Sequence, residues 1–440
     1  MQINNYKDMN VLIFGLGLNQ GGAGSAKFFA KAGANVRVTD LKSAEVLKSS
    51  VDQLNEFRNI EFVLGKHQNE DFDWADLIIK NPSVKPNNEF LQYALSKGKK
   101  IEMDMGIFLD HVNPSQIIGV TGTKGKSTTS SLIYEALKAN NKSVLFAGNI
   151  GKSVLDTLEF LNEKTLVILE ISSFQLESFN SHQVSPHWAV ITNITPDHLN
   201  YYATMDEYIQ AKKLIGKYQT SEDYLFLKEG DTVVDTPQFL EGLKGKIIRF
   251  SKNDLPADFR PNLKGEHNLN NIAAALAITN SFGLSQETIL NSLQSFKGVP
   301  FRMELVKVWD GVKIYNDTTA TGPDAGIKAL EAFPNCILIA GGMNKNMPYE
   351  EYAQAVDEKA KMVFFLEGDS TDLIKNLMKR QEKNKGTFNN LKQLLGKVKE
   401  VVKEEDVILF SPAATSFNLF QNEFDRGRKF NAAVEKVFSA

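Results

Sequence analysis

Short apolar runs alternate with stretches of helical period along the chain, which predicts alternating strands and helices. The predicted strands lie at residues 10–18 (running into a glycine turn), 35–40, 61–65, 76–80, 117–120, 143–147, 165–169, 188–192, 246–250, 312–315, 336–340, 362–366 and 406–410. The predicted helices between them include residues 25–32, 130–138, 268–281, 324–333, 349–359 and 391–403. Apolar strands separated by helices are typical of parallel sheets with βαβ connections. The pattern therefore predicts an α/β protein.

The order of these elements divides the chain into three α/β segments. We expect an N-terminal Rossmann-like domain at residues 1–113, a central domain with a mostly parallel sheet at 114–299, and a C-terminal Rossmann-like domain at 300–440. A chain of 440 residues is too long for one hydrophobic core, which also favours several domains.

Composition narrows the class of protein. Hydrophobic residues make up 42% and charged residues 23%, as is usual for soluble globular proteins. The formal net charge is −3 with both signs interspersed, so we expect no binding to nucleic acid or to an anionic membrane. The first residues lack the features of a signal peptide, and no apolar run approaches the roughly 18 residues of a spanning helix. Cys336 is the only cysteine, which excludes a disulfide or thiolate–metal framework.

The stretch at residues 117–129 joins a strand, a glycine-rich turn and the start of a helix. Gly122 and Gly125 let the backbone approach a phosphate, Lys126 can reach its oxygens, and the Ser127 hydroxyl can bind Mg²⁺. Val120 stands where the standard phosphate-loop spacing has its first glycine. The alternative is a plain glycine-rich turn with a solvated lysine. We predict a nucleotide triphosphate site, which makes the central segment a P-loop mononucleotide-binding domain.

Charged side chains follow two further strands of the central segment. Glu170 stands at a strand end, where a P-loop enzyme holds its Mg²⁺, although most acids at such positions only end a strand. His198 lies in the loop after residues 188–192 and could bind a metal, orient a phosphate or do neither. Lys212 and Lys213 follow on a helical stretch, where the local pattern alone favours a solvated face.

Two more groups of polar residues suit either ligand binding or ordinary structure. The first glycine turn is not a clean G-x-G-x-x-G, and Asp40 at the next strand tip suits a ribose contact or a helix cap. Asn268 and Asn271 share one face of a helix, and residues 316–324 are rich in hydroxyls. Helix capping and the usual preference of turns for polar residues explain these residues as well as contacts to a nucleotide would.

In this order, the motifs resemble those of the Mur ligase family of ATP-dependent amide-bond-forming enzymes over nearly the whole chain. Residues 122–128 match the family's own phosphate-loop variant, which accounts for Val120. The other matches are Asn149, Glu170, Asn193, Asp197, His198, His267, Asn268, Asn271, Arg302 and Asp317. Residues 316–321, 341–345 and 411–416 resemble the members that add D-glutamate to UDP-N-acetylmuramoyl-L-alanine.

The resemblance implies a role for each matched residue. The implied ATP contacts are Gly122, Thr123, Lys124, Gly125, Lys126, Ser127, Thr128, Asn271, Arg302 and Asp317. Two Mg²⁺ ions are implied, one on Ser127 and Glu170 and one on His198 and a carbamylated Lys212. The implied catalytic residues are Lys126, Glu170, His198 and Lys212. The UDP-substrate contacts would be Gly17, Leu18, Asp40 and Asn149, and the amino-acid contacts Thr321, Lys345, Ser416 and Phe424.

The implied activity is that of a cytoplasmic, monomeric ligase of peptidoglycan precursor synthesis. Its small-molecule substrates would be ATP, UDP-N-acetylmuramoyl-L-alanine and D-glutamate, joined through an acyl phosphate with release of ADP and phosphate. The alternatives are another Mur-type or a folylpolyglutamate-type ligase with a different amino acid, and a non-catalytic nucleotide-binding protein. L-glutamate also stays open as the substrate.

Three departures from the family pattern bear on these roles. Residues 19–22 lengthen the first glycine turn, and Ser83 stands where the family has glycine. Glu423 precedes Phe424, whereas the family has phenylalanine before glutamate, so either residue could line the amino-acid pocket. The assignment of the carbamylated residue to Lys212 or to Lys213 is also open.

Overall fold

The computed structural model describes residues 3–17, 21–148, 153–198, 201–263, 265–344, 347–416 and 419–439. The chain packs as two compact units, Met1–Phe296 and Lys297–Ala440. The first unit contains two sheets and the second contains one.

The first sheet of the first unit has five strands in the order β3-β2-β1-β4-β5, all parallel. Its strands are β1 (Asn10–Phe14), β2 (Asn35–Asp40), β3 (Ile60–Leu64), β4 (Leu77–Lys80) and β5 (Lys100–Glu102), and its helices are α1 (Gly21–Lys31), α2 (Lys48–Asp52), α3 (Asn69–Trp74), α4 (Glu89–Ser96) and α5 (Asp104–Leu109). Val11 and Ile13 enter one apolar cluster, and Leu12 and Phe14 enter another. Both faces of β1 are therefore covered, as parallel strands require.

The second sheet has six parallel strands in the order β11-β10-β9-β6-β8-β7. Its strands are β6 (Ile117–Thr121), β7 (Val144–Gly148), β8 (Leu166–Glu170), β9 (Trp188–Ile191), β10 (Tyr224–Lys228) and β11 (Lys246–Phe250), and its helices are α6 (Lys126–Ala139), α7 (Leu176–Ser181), α8 (Met205–Lys213), α9 (Pro237–Leu240), α10 (Glu266–Asn280) and α11 (Gln286–Ser295). Strands β8 and β9 flank β6, so the residues after all three strands lie at one sheet edge.

The second unit has one sheet in the order β12-β13-β17-β14-β15-β16, parallel except for the β12–β13 pair. Its strands are β12 (Glu304–Trp309), β13 (Val312–Asn316), β14 (Ile337–Ala340), β15 (Met362–Leu366), β16 (Asn384–Phe388) and β17 (Val407–Phe410), and its helices are α12 (Pro323–Ala332), α13 (Glu350–Lys359), α14 (Asp369–Leu377), α15 (Leu391–Val401) and α16 (Glu423–Val437). Strand β17 lies between β13 and β14, which brings the loops after these three strands together.

Short 3₁₀ helices complete the described structure. They lie at Ile3–Tyr6, Pro114–Gln116, Val154–Phe160, Leu214–Gly216, Lys252–Asp254 and Gln381–Lys383. Within the described ranges, no helix is both long enough and apolar enough to cross a membrane.

The structure confirms the predicted α/β class and its mostly parallel sheets. The prediction was wrong about where the first helix begins, because α1 starts at Gly21 rather than near Ser25. Glycine is unfavourable in a helix interior, so the local sequence of Gly21, Gly22 and Gly24 favours a turn before Ser25 rather than the start of a helix.

Candidate active site

The phosphate loop connects β6 to α6, a helix of 14 residues. Gly122 has φ +146° and Gly125 has φ +86°, values that favour glycine. A Cβ at Gly122 would lie 2.0 Å from Thr192 Oγ1, and one at Gly125 would lie 2.3 Å from Asn271 Oδ1. Both positions therefore exclude any side chain and leave backbone N–H groups at the helix N-terminus, where an anion is favoured.

Two lysine ammonium groups meet at the same backbone carbonyl of this loop. Lys126 Nζ donates to the Gly122 carbonyl at 2.9 Å and to the Thr123 carbonyl at 3.0 Å. Lys212 Nζ donates to the Gly122 carbonyl at 2.9 Å from helix α8. The two cations thus lie beside the turn that would hold phosphates.

Lys212 is buried, so the solvated reading favoured by its local sequence is wrong. It lies four residues after Tyr208, and both side chains are buried on the same face of α8. The Lys212 ammonium also lies 4.7 Å from the centre of the Tyr208 ring. Burial, and secondarily the charge of Lys126, lower the pKa of Lys212 to about 7. Lys213 instead donates to the Glu241 carbonyl at 2.7 Å, away from the loop.

The segment after β9 braces the phosphate loop. The side-chain oxygen of Asn193 accepts from the Lys124 N–H at 3.0 Å, and its amide nitrogen donates to the Lys124 carbonyl at 2.8 Å. Thr192 Oγ1 donates to the same carbonyl at 2.6 Å. The Lys124 ammonium lies 3.6 Å from an Asp197 carboxylate oxygen. These hydrogen bonds hold the phosphate loop against the segment that follows β9.

Glu170 and His198 lie at the same edge of this sheet. Glu170 is the last residue of β8, pairs with Val120 of β6 and is 2% exposed. His198 is exposed and has φ +54°, which is uncommon outside glycine. Although the side chain is exposed, nearby protein removes part of the hydration of the imidazole ring, and this desolvation, followed by the charges of Lys212, Lys126 and Lys124, lowers the pKa of His198 despite the opposing effect of Asp197. A neutral imidazole is the form that binds metals.

The donor set at this edge limits what metal it can hold. Within the described parts of the chain, no group of three or more His, Cys, Asp and Glu side chains is placed to bind an ion. The hydroxyl of Ser127 and the carboxylate of Glu170 are hard oxygen donors, as Mg²⁺ prefers. The residues fit a Mg²⁺ that takes its remaining ligands from phosphate oxygens and water, which is the usual arrangement in phosphoryl-transfer sites.

Asn271 contacts the phosphate loop from helix α10. It is 7% exposed, and its side-chain oxygen accepts from Thr129 Oγ1 at 3.4 Å. Its amide nitrogen donates to Asn268 Oδ1 at 3.0 Å. Asn271 thus lies against the phosphate loop and is held by its helix neighbour Asn268, whereas His267 is exposed.

The first glycine turn forms a pocket at the carboxyl edge of β1 and β4. It is lined by Ile13, Gly15, Gly21, Gly22, Ser25, Ile79, Lys80, Asn81, Pro82 and Asp104. Asp40 is buried, and its carboxylate accepts from the N–H groups of Gly17 at 3.0 Å and Lys42 at 2.9 Å. The carboxylate therefore fixes the turn itself. Leu18 and Asn149, both predicted substrate contacts, lie outside the described residues.

Asp317 is the buried acid of the second unit. Its carboxylate accepts from Ser411 Oγ at 2.8 Å and from the Met303 N–H at 3.2 Å. Burial raises the pKa of Asp317 to about 6, although these hydrogen bonds and the charge of Arg302 act the other way. Arg302 itself is exposed.

The residues predicted to face the amino acid lie on three segments of the second unit. Thr321 is half-buried just before α12, and Phe424 lies in the first turn of α16 with its ring 6.3 Å from that of Phe301. Ser416 is 2% exposed, and its Oγ has no hydrogen-bond partner among the described residues. A buried hydroxyl without a partner is costly unless a ligand completes it. Lys345 lies outside the described residues.

Arg426 is a buried cation that the sequence analysis missed. It is 0% exposed and donates to Thr318 Oγ1 at 2.8 Å, to the Thr318 carbonyl at 2.7 Å and to the Ala414 carbonyl at 3.0 Å. It therefore joins the loops after β13 and β17 to helix α16. The available signal was helical spacing, because Arg426 precedes the buried Phe430 and Val434 by four and eight residues.

Family models match three consecutive parts of the chain. A Mur ligase MurD-like N-terminal domain matches residues 9–102, a Mur ligase middle domain matches 120–261, and a Mur ligase glutamate ligase domain matches 301–414. The phosphate loop, Glu170, His198 and Lys212 fall in the middle domain, and Asp317 falls in the glutamate ligase domain.

Full-length relatives agree with these models. The UDP-N-acetylmuramoylalanine–D-glutamate ligase of Borreliella afzelii (strain PKo) is 37% identical over 466 residues, covering 99% of this chain and 100% of that protein. The protein of the same name from Roseiflexus sp. (strain RS-1) is 36% identical over 457 residues, covering 96% and 98%.

Solved structures share the fold. The UDP-N-acetylmuramate–alanine ligase MurC of Thermotoga maritima is similar with a TM-score of 0.60 at 21% identity, covering 97% of this chain and 99% of that one. A MurF structure from Acinetobacter baumannii has a TM-score of 0.58 at 14% identity, covering 100% and 98%. On its full-length relatives and its three matched domains, the chain belongs to the Mur ligase family of ATP-dependent amide-bond-forming enzymes.

Proposed function

We propose that this protein joins D-glutamate to the carboxylate of UDP-N-acetylmuramoyl-L-alanine in the cytoplasm, as a step of peptidoglycan precursor synthesis. Membership of the Mur ligase family implies the use of ATP and Mg²⁺. The observation that carries the proposal is the phosphate loop, where Lys126 and Lys212 converge on the Gly122 carbonyl. The choice of substrates rests on the full-length relatives that share the name given above.

The first chemical step brings two anions together. The substrate carboxylate attacks the γ-phosphorus of ATP, an acyl phosphate forms, and ADP leaves. At about 4 Å and an effective dielectric constant of about 20, each pair of like unit charges costs roughly 4 kcal/mol. Lys126 and the N–H groups at the start of α6 would reduce this repulsion because they place positive charge and hydrogen-bond donors at the phosphate loop. Mg²⁺ held by Ser127 and Glu170 would, when bound, supply further charge neutralisation at the phosphates.

Lys212 is proposed as a carbamylated residue that contributes an oxygen donor. Its neutral amine would attack CO₂ to form a carbamate and release one proton, which converts a neutral group into an anion. Only the neutral amine reacts, and a pKa near 7 leaves about half of the groups neutral at pH 7. Two Mg²⁺ ions are proposed, one near Ser127 and Glu170 and one near His198 and the Lys212 carbamate.

The second chemical step forms the amide bond. The D-glutamate amine attacks the acyl carbon, and phosphate departs. Thr321, Lys345, Ser416 and Phe424 are proposed to bind D-glutamate, and the buried Ser416 hydroxyl supports a polar ligand there. Arg302, Asp317 and Asn271, with the loop residues 122–128, are proposed to bind ATP. Gly17, Leu18, Asp40 and Asn149 are proposed to bind the UDP-substrate.

The domain boundaries remain part of the proposal. We assign UDP-substrate binding to residues 1–113, ATP binding to 114–299 and amino-acid binding to 300–440. The N-terminal family match supports the first assignment, because residues 9–102 match a MurD-like domain.

The substrate assignment can be tested with a panel of acceptors and amino acids. Phosphate release should require UDP-N-acetylmuramoyl-L-alanine and D-glutamate together, and product mass should equal the sum of the two minus one water. L-glutamate, L-alanine and a folate acceptor serve as the matched controls. Release that is indifferent to D-glutamate, or that follows the folate, would replace the proposed substrates with those of another ligase.

The proposed carbamate can be tested separately by comparing adjacent lysines. Lys212→Ala should lower turnover by about 100-fold or more, because the site loses a metal donor and a charge. Lys213→Ala should retain nearly normal turnover, since its side chain points to Glu241. Removal of CO₂ from the buffer should slow the wild-type enzyme, and added bicarbonate should restore it. Normal rates for Lys212→Ala would refute the carbamate.

A further inference from the structure

Lys80 is a nearly buried cation placed where the first glycine turn meets the second domain. It is the last residue of β4, pairs with Phe14 of β1 and lines the pocket beside Gly15 and Gly22. Its side chain is 11% exposed. Its ammonium donates to a Glu177 carboxylate oxygen at 3.2 Å. The Lys80 ammonium thus lies at one wall of the pocket and is paired with the Glu177 carboxylate.

Glu177 belongs to the central domain and binds a second donor. It lies in the first turn of α7, seven residues after Glu170. One of its carboxylate oxygens accepts from Lys80, and the other accepts from the Tyr201 hydroxyl at 3.2 Å. A carboxylate that accepts from two donors on different segments fixes both of them.

Tyr201 continues the chain of contacts to the loop of His198. Its N–H donates to the His198 carbonyl at 2.8 Å. The Phe174 ring lies 4.4 Å from the Tyr201 ring and 5.1 Å from the His198 ring. The position of Tyr201 therefore constrains both the backbone and the ring of His198.

We propose that Glu177 is a positioning residue, which links the UDP-substrate pocket to the His198 loop through Lys80 on one side and Tyr201 on the other. This inference rests on the proposed function, because it takes the diphosphate of the UDP-substrate as the anion that reaches Lys80. A bound diphosphate competes with Glu177 for the Lys80 ammonium. The carboxylate then shifts its hydrogen bonding toward Tyr201, and the His198 loop is held more firmly when substrate is present. Coupling of this kind can be carried by a contiguous set of hydrogen bonds and ring contacts, which these residues supply.

The proposal makes an unusual prediction for Glu177→Gln. Loss of the carboxylate charge removes a competitor for Lys80 and a repulsive neighbour of the diphosphate, so UDP itself should bind about 3-fold or more tightly by calorimetry. Turnover should nevertheless fall about 10-fold, because Tyr201 and the His198 loop lose their charged acceptor. A merely structural role would weaken binding and turnover together. That result, or unchanged values for both, would overturn the proposal.

A double variant tests whether Tyr201 acts through Glu177. Tyr201→Phe should lower kcat about 10-fold and raise the Mg²⁺ concentration needed for half-maximal rate. The Glu177→Gln, Tyr201→Phe double variant should be no slower than the slower single variant, because both changes break one link. If the two losses multiply, the residues act independently and the proposal is wrong. Lys80→Met should weaken UDP binding about 10-fold and so locate the diphosphate.

Controls separate this inference from the proposed function. Lys246→Met removes a lysine of a more exposed ion pair with Glu222 and should change none of these values. Thermal unfolding should place all variants within a few degrees of the wild type. If the wild type binds UDP but shows no D-glutamate-dependent turnover, the proposed function fails, while the UDP measurements still decide whether Glu177 competes with the diphosphate for Lys80. If turnover is as proposed and Glu177→Gln is silent, only the positioning role fails.

Discussion

Each of the two units buries a cation at the carboxyl edge of its sheet, and the two cations are satisfied in different ways. Arg426 makes three hydrogen bonds to Thr318 and Ala414, and burial lowers its pKa only to about 9, so it stays charged at neutral pH. Lys212 makes one hydrogen bond, to Gly122, within the part of the chain that the structure describes, and its pKa is lowered to about 7.

The difference separates a structural cation from a reactive one. A guanidinium whose N–H groups donate to several oxygens holds the loops that carry those oxygens in place and stays protonated. A buried ammonium with fewer acceptors and a second lysine beside it loses its proton more easily, because burial and the like charge both disfavour the charged form. The same positive charge favours binding of an anion. Lys212 at the phosphate loop can therefore take part in a reaction or bind an anion, whereas the hydrogen bonds of Arg426 hold the loops of the second unit in place.

The largest expected effect comes from the other lysine of the phosphate loop. Lys126→Ala should reduce turnover about 1,000-fold, because the site loses the charge that faces the transferred phosphate. The measurement is ADP release at saturating substrates. Lys138→Ala, an exposed lysine in the last turn of the same helix, is the matched control and should stay within about 2-fold of wild type. Near-normal turnover of Lys126→Ala would mean that the loop does not bind the reacting phosphate.

A second test asks whether the stability of the second unit depends on the several hydrogen bonds of the Arg426 guanidinium or only on its positive charge. Arg426→Lys keeps the charge but cannot match Thr318 and Ala414 together, so the free energy of unfolding of the second unit should fall by about 2–4 kcal/mol. Urea titration with hydrogen exchange of peptides from the second unit gives that value. The exposed neighbour changed in Arg428→Lys should show no effect. An unchanged stability for Arg426→Lys would show that charge alone suffices there.

The comparison also explains which features the sequence could predict. The strands were found because parallel strands buried on both faces read as continuous apolar runs, as at residues 337–340. Strand β12 was missed because it is an edge strand with no buried residue, and Glu304 and Lys307 break up its apolar positions. Strand β16 was missed because its residues, Asn-Lys-Gly-Thr-Phe, include one large apolar side chain.

The features of the candidate site also differ in how far the local sequence predicts them. The phosphate loop was predicted from residues 120–127 because its glycines, lysine and helix start are adjacent in sequence. The burial of Lys212 and Arg426 was not predictable from local pattern, since each is covered by segments distant in the chain. Only the family resemblance singled out Lys212, and nothing singled out Arg426. Whether a charged side chain is buried depends on segments distant in the sequence, and most charged side chains are exposed. A local pattern therefore predicts an exposed lysine or arginine.

The smallest effect concerns the buried acid that accompanies Arg426 in the second unit. The pKa of Asp317 is raised to about 6 from a usual value near 4, so between these values the folded state holds more protons than the unfolded state. The wild-type stability should therefore fall as pH rises from 4 to 6. Asp317→Asn removes the titration, and its stability relative to wild type should rise by about 1–3 kcal/mol across this window and then level off.

Urea unfolding of the second unit at several pH values tests this expectation, with the exposed acid changed in Asp372→Asn as the control. Asparagine can still accept from the Met303 N–H, while its amide nitrogen can donate to Ser411 Oγ, so the local structure should persist. A flat difference between Asp317→Asn and wild type from pH 4 to 7 would mean that the carboxylate is ionised at little cost. Asp317 would then belong with Arg426 among the fully matched charges, and the contrast with Lys212 would be sharper.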